Sequence, residues 1–348
     1  MAEQRDFHVT INIVTWNSEE YLADFFESLK KQTFKDFAII VVDNASRDLS
    51  LQIAQQYDNV TVIRNSVNLG FSRAHNKGIE MAMKFWEGKD LRDRFVFICN
   101  PDIIFAENCL EETLKNICRE EDIGLAGPRL LRMEIEEKDN MREKKMTDVV
   151  DTMGLELLKS RAAVDKFSGL KYDGPLDAQE VFGVSGALMC LRASALESVR
   201  WNKEYFDEDF FAYKEDVDLS WRLKNMDWRA IIVPQAVAYH HRNVRGGAGL
   251  SFWEKILSQR QKPEKIKFWS ARNHLWAIAK NDFGINHLLD WPFIFFSELG
   301  KFAYCLVLDT KIVRAYFSAL YGLPKILAKR AYLKNAKIQP GEMRQWIK

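Results

Sequence analysis

VTINIVTWN, at residues 9–17, predicts a short buried strand that ends in polar residues. An amphipathic helix is expected from Tyr21 to Lys31, and the same order of strand and helix then repeats along the first hundred residues. Further strands are predicted at 37–42, 60–63 and 95–99, with helices at 49–57 and 73–85 between them. This alternation predicts an α/β fold with a mostly parallel sheet and flanking helices.

Composition and charge exclude several classes of protein. The chain has 348 residues, 47% of them hydrophobic, which is enough for one large or two modest cores and excludes a disordered chain. The formal net charge is +1, so no overall field recruits nucleic acid. The five cysteines lack CxxC spacing, which predicts reduced core thiols and a cytoplasmic location. We expect no secretory signal and no apolar stretch of the ~18 to 20 residues that a spanning helix needs.

Polar side chains follow the predicted strands at the points where they end. They are Thr15 and Asn17, then Asp43 and Asn44, then Asn100 and Asp102. Ligands of open parallel sheets bind in the crevice at the carboxyl ends of the strands, so this edge predicts a nucleotide pocket. Taken singly, each of these residues is more often a turn or helix-cap residue.

A glycine-containing turn, NLGF at residues 68–71, opens the third helix. Backbone N–H groups at a helix start can bind an anionic or polar ligand. The turn is not a GxGxxG fingerprint, the first strand is followed by TWNS, and the P-loop pattern is absent from the sequence. We therefore do not expect NAD binding.

Two acidic clusters carry the predicted chemistry. Asn100-Pro101-Asp102 follows an apolar strand and suits a metal-diphosphate clamp, although the same tripeptide also favours a plain turn. Glu215-Asp216-Val217-Asp218 offers a catalytic carboxylate, although acidic residues also favour solvated helix starts. The i, i+4 spacing of Asp218 and Arg222 predicts a salt bridge within or on the surface of one helix.

Together these segments resemble glycosyltransferase family 2, and within it the bacterial rhamnosyltransferase-type enzymes. The resemblance rests on residues 13–17, 41–46, 68–71, 100–102, 184–187, 210–222 and 238–241, in the family's order. It implies a GT-A fold, which is a Rossmann-like, mostly parallel sheet with flanking helices. It also implies an inverting transferase that moves a sugar from a nucleoside diphosphate to an acceptor hydroxyl.

The resemblance assigns roles to individual residues. Asp43 would bind the uracil or thymine ring, with Thr15 and Asn17 framing the base and ribose, and a carboxylate does suit the imide N–H of those bases. The remaining predicted nucleotide-sugar contacts are Asn68, Gly70, Asn76 and Asn100. Asp216 is the predicted general base, and Glu215 is expected to orient the acceptor. The choice between these two neighbours follows the family pattern alone.

The predicted cofactor is a divalent metal, Mg²⁺ or Mn²⁺. The family's Asp-x-Asp motif begins with Asn100 here, so Asp102 supplies the carboxylate while the diphosphate and water supply further oxygens. By the resemblance, His240 completes the metal shell or contacts the diphosphate, and a nitrogen ligand favours Mn²⁺. The alternative for His240 is a structural role at a strand end. Residues 242–249, with three glycines and two arginines, are predicted to form either a loop that closes over the diphosphate or a linker.

The chain is predicted to divide near residue 250. Residues 1–250 form the catalytic domain, with a nucleotide-sugar half at about 1–102 and an acceptor half at about 103–250, and 251–348 form a helical region. Within the acceptor half, the charge-rich stretch 130–145 predicts a flexible surface excursion.

The helical region after residue 250 is amphipathic and rich in aromatic and basic residues. Such helices can lie in a membrane interface, and the family resemblance implies the cytosolic face. Asp290, Glu298 and Lys301 argue against a spanning helix. The alternatives are packing against the catalytic domain and formation of a homodimer.

The sequence thus predicts an inverting, metal-dependent transferase that uses dTDP-rhamnose or a UDP-sugar and a glycan or lipid-linked glycan acceptor in surface polysaccharide synthesis. Two alternatives stay open. A polyprenyl-phosphate glycosyltransferase would keep the nucleotide site, and the expected lack of spanning helices weighs against it. A nucleotide-sugar-binding subunit without turnover would explain Asn100, while the presence of Glu215, Asp216 and His240 weighs against it.

Overall fold

The first hundred residues form the predicted alternation of strands and helices. The computed structural model describes residues 7–138, 141–241 and 260–348, without the side chains of 135–138 and 141–143. The strands are β1 Val9–Thr15, β2 Phe37–Asp43, β3 Val60–Arg64 and β4 Phe95–Cys99. The helices are α1 Glu19–Lys30, α2 Ser50–Ala54 and α3 Gly70–Phe85. The strands pair in parallel in the order β4-β1-β2-β3, which confirms the predicted arrangement.

The sheet has a hydrophobic core on each face. Side chains alternate between faces along a strand, so Ile39 and Val41 of β2 join Phe25 of α1 in one core. Ile40 joins Ile79 of α3 in the other core. Burial on both faces explains why these strands are continuous apolar runs. Polar residues are left for the strand ends, where the site lies.

The second half of the chain extends this sheet with strands of mixed direction. The added strands are β5 Ile103–Phe105, β6 Ile123–Lys138, β7 Met141–Thr152, β8 Leu155–Leu157, β9 Ala163–Asp165, β10 Gln179–Val181, β11 Leu188–Arg192 and β12 Arg229–His241. The added helices are α4 Cys109–Ile117, α5 Ala193–Ser198 and α6 Glu215–Asn225. β11 runs antiparallel to both β4 and β6. The predicted parallel arrangement therefore holds for the nucleotide half, and the whole sheet is mixed.

The charged stretch 130–145 is not a flexible excursion, so that prediction is wrong for its described residues. β6 and β7 pair antiparallel from Met133 opposite Met146 to Lys138 opposite Met141. The cause is an alternation of apolar and charged residues that matches the two-residue period of a strand. Leu131 is buried in the core on this account.

The C-terminal region forms the predicted long helices. They are α7 Glu264–Asn281, α8 Gly284–Leu308, α9 Val313–Lys329 and the short α10 Pro340–Met343. The loop predicted at 242–249 lies outside the described residues, so the proposed boundary near residue 250 stays a prediction. All five cysteines are free, and four of them are buried, as expected for core thiols.

The expectation that no apolar stretch can span a membrane is wrong for α8. This helix of 25 residues is long and apolar enough to cross a membrane, judged by length and composition only. Both acidic side chains of α8 form ion pairs on the side of the helix that faces the folded domain. They therefore do not interrupt its exposed apolar face. Asp290 binds Arg161 and Arg344, and Glu298 binds His274.

Candidate active site

Thr15, Asn17 and Asp43 come together at the carboxyl ends of β1 and β2, as predicted. Thr15 and Asp43 are register partners, and Thr15 Oγ1 donates to Asp43 Oδ1 at 3.1 Å. The N–H of Ser46 donates to Asp43 Oδ2 at 3.2 Å. Asn17 has φ of 51°, and its Oδ1 accepts from the N–H of Arg47 at 2.9 Å. Asp43 is fully buried beneath this turn, whereas Asn17 is exposed.

The turn at Gly70 binds another loop of the protein. A Cβ at Gly70 would lie 2.5 Å from the Phe211 carbonyl oxygen, and the φ of +80° also requires glycine. That oxygen accepts from the N–H groups of Phe71 and Ser72 at 2.6 and 3.3 Å, while the N–H of Gly70 donates to Asn68 Oδ1 at 2.8 Å. The interpretation that these N–H groups meet an anionic ligand is therefore wrong, because each already has a protein acceptor.

Asn76 holds the same loop one turn further along α3. Its Nδ2 donates to the carbonyl oxygen of Phe206, and its Oδ1 accepts from the N–H of Phe206, both at 2.8 Å. The side chain is buried and engaged at both ends of its amide. Gly70 and Asn76 thus position the segment 206–211, and contact of Asn68, Gly70 and Asn76 with the nucleotide sugar stays a prediction.

The segment just before α6 has a strained backbone. Three of the four residues that precede Glu215 have left-handed φ angles, namely 62° at Phe211, 70° at Tyr213 and 71° at Lys214. Such conformations cost about 1 to 3 kcal/mol each and persist only where the surroundings hold them. They turn the chain sharply into the helix that carries the acidic cluster.

Asn273 of α7 clamps this strained segment from the C-terminal side. Its Nδ2 lies within hydrogen-bond distance of three carbonyl oxygens, at 2.8 Å from Phe210, 2.9 Å from Ala212 and 2.7 Å from Tyr213. Asn273 is completely buried, and the ring of Trp269 packs on the ring of Phe211 at 4.6 Å. The C-terminal helices therefore help to shape the loop that leads to the site.

Asp216 presents a half-buried carboxylate at the start of α6. Its Oδ2 accepts from the N–H of Gly186 at 3.0 Å, and its Oδ1 accepts from the N–H of Val217 at 2.8 Å. Burial raises the pKa of Asp216 above its ordinary value. A carboxylate with a raised pKa and a fixed orientation is suited to accept a proton.

Glu215 differs from its neighbour. Burial, reinforced by the charge of Asp216, raises the pKa of Glu215 to about 8, so its carboxyl is mostly neutral at pH 7. Its Oε2 is buried without a hydrogen-bond partner. A neutral carboxyl is a poor base, whereas two backbone N–H groups stabilise the ionised form of Asp216, and this difference favours Asp216 over Glu215.

Asp102 and His240 form a second pair close to the end of β4. His240 Nε2 lies 3.5 Å from Asp102 Oδ1, and His240 Nδ1 lies 2.8 Å from Asp151 Oδ2. Burial alone lowers the pKa of His240, but the two carboxylates outweigh it and raise the pKa to about 10. Asp102 Oδ1 is buried without a hydrogen-bond partner. Asp102 Oδ1 and His240 Nε2 face each other, and a carboxylate oxygen with an imidazole nitrogen suits Mn²⁺, which would take the place of the Nε2 proton.

The pair alone does not make a complete metal shell. Within the part of the chain that the structure describes, no group of three His, Cys, Asp or Glu side chains could hold a metal ion. The remaining ligands would have to come from a diphosphate and water, as the sequence predicts.

Asp216 and the pair of Asp102 and His240 lie on one edge of the sheet. The N–H of Asn100 donates to the carbonyl oxygen of Ala187 at 2.9 Å, next to Gly186, which binds Asp216. The N–H of His241 donates to the carbonyl oxygen of Asp102 at 3.1 Å. The antiparallel entry of β11 beside β4 thus brings the acidic cluster to the strand ends of the first half.

A buried ionic network joins α6 to the C-terminal helices. Lys280 of α7 lies 2.6 Å from Asp207 and 3.0 Å from Asp218, and Lys329 of α9 also binds Asp207. The predicted bridge between Asp218 and Arg222 is present at 2.9 Å, but it is buried rather than on the surface. Burial alone raises the pKa of Asp207, yet the two lysines outweigh it and hold the pKa below its ordinary value.

Sequence reasoning missed three residues that shape the site. Asp151 stands in a stretch without a motif, and only its position opposite His240 shows its relevance. Asn273 and Lys280 lie inside an amphipathic helix about sixty residues from their partners, so no local signal marks them. Only an unusual run of polar residues on a buried helix face would have pointed to them.

Comparison with known proteins places the chain among glycosyltransferases. The family model described as glycosyl transferase family 2 matches residues 10–197, more than half of the chain. The chain is 28% identical over 236 residues to the N-acetylglucosaminyl-diphospho-decaprenol L-rhamnosyltransferase of Mycobacterium tuberculosis, a match covering 66% of this chain and 74% of that protein. It is also 28% identical over 270 residues to the rhamnosyltransferase WbbL of Escherichia coli, covering 76% and 96%.

Solved structures share the fold at low sequence identity. GalNAc-T7, solved with UDP, GalNAc and Mn²⁺, matches with a TM-score of 0.62 at 13% identity over 97% of this chain and 57% of its own. TarS residues 1–349 of Staphylococcus aureus match with a TM-score of 0.55 at 16% identity over 97% and 92%. Both likenesses concern the fold, which is GT-A. By the family model and these relatives, the chain belongs to glycosyltransferase family 2 and is a nucleotide-sugar-dependent glycosyltransferase.

Proposed function

We propose that the protein is an inverting glycosyltransferase that uses dTDP-rhamnose or a UDP-sugar and a glycan or lipid-linked glycan acceptor in surface polysaccharide synthesis. The observation that carries the proposal is the Asp216 carboxylate, fixed by two backbone N–H groups at the edge where the strand ends meet. The names of the two relatives, both rhamnosyltransferases, support the donor sugar, and the decaprenol-linked name supports the acceptor class.

Asp216 acts as the general base in this proposal. It takes the proton of the acceptor hydroxyl as that oxygen attacks the anomeric carbon on the face opposite the diphosphate. The new bond joins the anomeric carbon to the acceptor oxygen. The bond from the anomeric carbon to the diphosphate oxygen breaks, and its electron pair stays on that oxygen. Glu215, mostly neutral at pH 7, donates a hydrogen bond and orients the acceptor.

Asp102 and His240 would hold the divalent metal, which when bound neutralises charge on the departing diphosphate. Asp151 accepts from His240 Nδ1 and so leaves Nε2, the nitrogen nearer Asp102, for the metal. Asn100, at the same strand end, contacts the nucleotide sugar in this proposal. Because a nitrogen ligand is involved, we expect Mn²⁺ to support binding better than Mg²⁺.

The base of the nucleotide binds at the ends of β1 and β2. Thr15, Asn17 and Asp43 lie together there, and carboxylate oxygens retain lone pairs beyond the bonds from Thr15 and Ser46. The imide N–H of uracil or thymine can donate a hydrogen bond to such a carboxylate. The protein is proposed to work in the cytoplasm, at the cytosolic face of the membrane.

The test is turnover with defined substrates. Purified protein with Mn²⁺ and a lipid-linked sugar acceptor is incubated with dTDP-rhamnose, UDP-sugars and GDP-mannose, and nucleoside diphosphate release and product anomeric configuration are measured. Release of dTDP or UDP with an inverted product supports the proposal. Release of GDP alone, or a retained configuration, would contradict it. Donor binding without any release, even as hydrolysis, would instead identify a non-catalytic binding subunit.

A further inference from the structure

The helix α8 has an amphipathic pattern that is inverted with respect to the protein. Its polar residues Asn286, Asp290 and Glu298 face the folded domain, where Asn286 and Asp290 are buried. Its apolar residues cover the opposite side and are exposed, with Leu288 at 65% and Phe296 at 65%. At 3.6 residues per turn the exposed apolar arc extends over about 200° of the helix. A soluble helix shows the reverse arrangement.

The apolar surface continues onto α9. The two helices contact each other through the rings of Phe302 and Tyr316, at 5.0 Å. Phe317, Leu320 and Tyr321 of α9 are exposed, Tyr321 by 92%. We call the exposed apolar side chains of α8 and α9 the C-terminal apolar surface. Its members on both helices are Ile285, Leu288, Leu289, Trp291, Phe293, Phe295, Phe296, Leu299, Leu306, Val307, Leu308, Phe317, Leu320, Tyr321 and Leu327.

The C-terminal apolar surface groups more exposed apolar side chains together than is ordinary for a soluble protein. Single exposed apolar residues are ordinary, but contiguous patches of this kind mark a contact with another phase or another protein. The helix face holds Trp and Phe side chains together with Leu, the composition typical of helices that lie at a membrane boundary.

Cations lie around the surface. The Lys159 ammonium lies 5.3 Å from the ring centroid of Phe293, at one edge of the α8 arc. Lys311 follows the last turn of α8, and Arg314 lies two helical turns before Tyr321 on α9. From residue 282 to the C-terminus the sequence has ten Lys and Arg against five Asp and Glu. This positive charge suits the anionic headgroups of a lipid bilayer.

We propose that the C-terminal apolar surface docks in the plane of an anionic lipid bilayer. The domain side of α8 is fixed by buried ion pairs, since Arg161 lies 2.9 Å from Asp282 and 3.0 Å from Asp290. A spanning orientation would break these pairs and expose both charges to lipid, whereas an in-plane orientation keeps them. The helix thus lies on the membrane with its apolar arc in the headgroup and acyl boundary.

A second copy of the chain is the competing occupant. A two-fold interface brings each patch against itself, so the cation-rich rim would meet the same cations. Lys311 and Arg314 share a single acid, Glu264, which leaves an excess of positive charge at that edge. Lipid with anionic headgroups relieves this charge, and a second copy adds to it. The inference does not depend on the donor or acceptor proposed above.

The test is flotation of the full chain with vesicles of phosphatidylcholine, with and without phosphatidylglycerol. We expect the protein to float with the anionic vesicles and to bind less in high salt. The double variant Leu288→Glu with Phe296→Glu should reduce the bound fraction by at least about tenfold, because two large apolar side chains no longer enter the lipid. Leu176→Glu, at a residue 49% exposed on the catalytic domain, is the matched control and should bind like wild type.

Light scattering and thermal melting complete the test. Both variants should melt like wild type because the altered side chains are exposed. A wild-type protein that stays unbound by every vesicle would overturn the proposal, as would a double variant that floats unchanged. A wild-type dimer that becomes a monomer in the double variant, without flotation, would assign the surface to a second copy. Sugar transfer to a soluble acceptor should be the same in wild type and in both variants.

Discussion

The nucleotide half and the C-terminal helices contribute to the same site in different ways. In the nucleotide half, Thr15 and Asp43 reach the site because each directly ends a strand. In the C-terminal helices, Asn273 and Lys280 contribute from inside a helix, through buried bonds to residues about sixty positions earlier. The first region offers groups to a ligand, and the second fixes the loop that carries the base. We expect catalysis to depend on both regions, although only the nucleotide half resembles a binding site.

The strained backbone before Glu215 lies where these two regions meet. The left-handed residues before Glu215 lie between the Gly70 turn on one side and Asn273 on the other. A loop of this kind is preorganised by its surroundings, so changes far from the chemistry should affect turnover.

The largest effect is expected for Asp216→Asn. Asparagine keeps the size of the side chain but cannot accept the acceptor proton, so turnover should fall by about 10³-fold. Nucleotide affinity should stay within about twofold because the strand ends are untouched. Steady-state transfer and calorimetric UDP binding measure the two quantities, with Glu215→Gln as the neighbouring control. Turnover of Asp216→Asn close to wild type would remove the base assignment.

Lys280→Ala tests whether the C-terminal helices are part of the fold of the catalytic domain. It leaves Asp207 and Asp218 buried with one partner fewer, which should lower the free energy of unfolding by about 3 kcal/mol. Lys325→Ala is the control, because Lys325 is 66% exposed and its bond to Asp209 should contribute less than about 1 kcal/mol. Urea unfolding compares the two variants. Equal losses would mean that the helices are an accessory to an independent core.

Asn273→Ala should lower kcat by about 10- to 100-fold while the KM for the donor changes little. The reason is that three carbonyl oxygens of the strained segment each lose one hydrogen-bond donor and Asp216 moves, whereas the strand ends keep their geometry. Asn286→Ala is the matched control, since Asn286 is also buried in a C-terminal helix but donates to Pro340. A rise in KM with unchanged kcat would show that Asn273 acts on donor binding instead.

Asp151→Ala should weaken Mn²⁺ binding about tenfold in the presence of UDP, because His240 loses the acceptor that fixes its ring. Asp151→Asn keeps an oxygen acceptor and should retain most of the affinity. Paramagnetic resonance of free Mn²⁺ measures both without any turnover. If both variants bind Mn²⁺ as wild type does, Asp151 has no part in orienting His240.

The smallest effect is a change in pH dependence. Because burial raises the pKa of Asp216 and the base must be ionised, kcat should fall as pH drops through that raised pKa and level off above it. Glutamine at position 215 cannot titrate, so the acidic limb should survive in Glu215→Gln. If the acidic limb disappears in Glu215→Gln, then Glu215 causes that limb and is the general base.

The sequence predicted the parts of the fold that have local signals. Apolar runs such as 37–42 predicted the parallel sheet. The polar residues after these runs predicted where the nucleobase would bind. The β6–β7 hairpin was missed because charge density concealed an alternation around Leu131. The contacts of Gly70 with Phe211 and of Asn76 with Phe206 could not be predicted because these partners are distant in sequence.

Calorimetric titration of the wild-type protein with dTDP, UDP and GDP, each with and without Mn²⁺, tests the central claim most directly. The claim is that the strand ends bind a pyrimidine nucleoside diphosphate through a metal held by Asp102 and His240. We predict Mn²⁺-dependent binding of dTDP or UDP in wild type and at least about tenfold weaker binding in Asp102→Ala. Tighter binding of GDP, or pyrimidine diphosphate binding that ignores both Mn²⁺ and Asp102→Ala, would contradict the account.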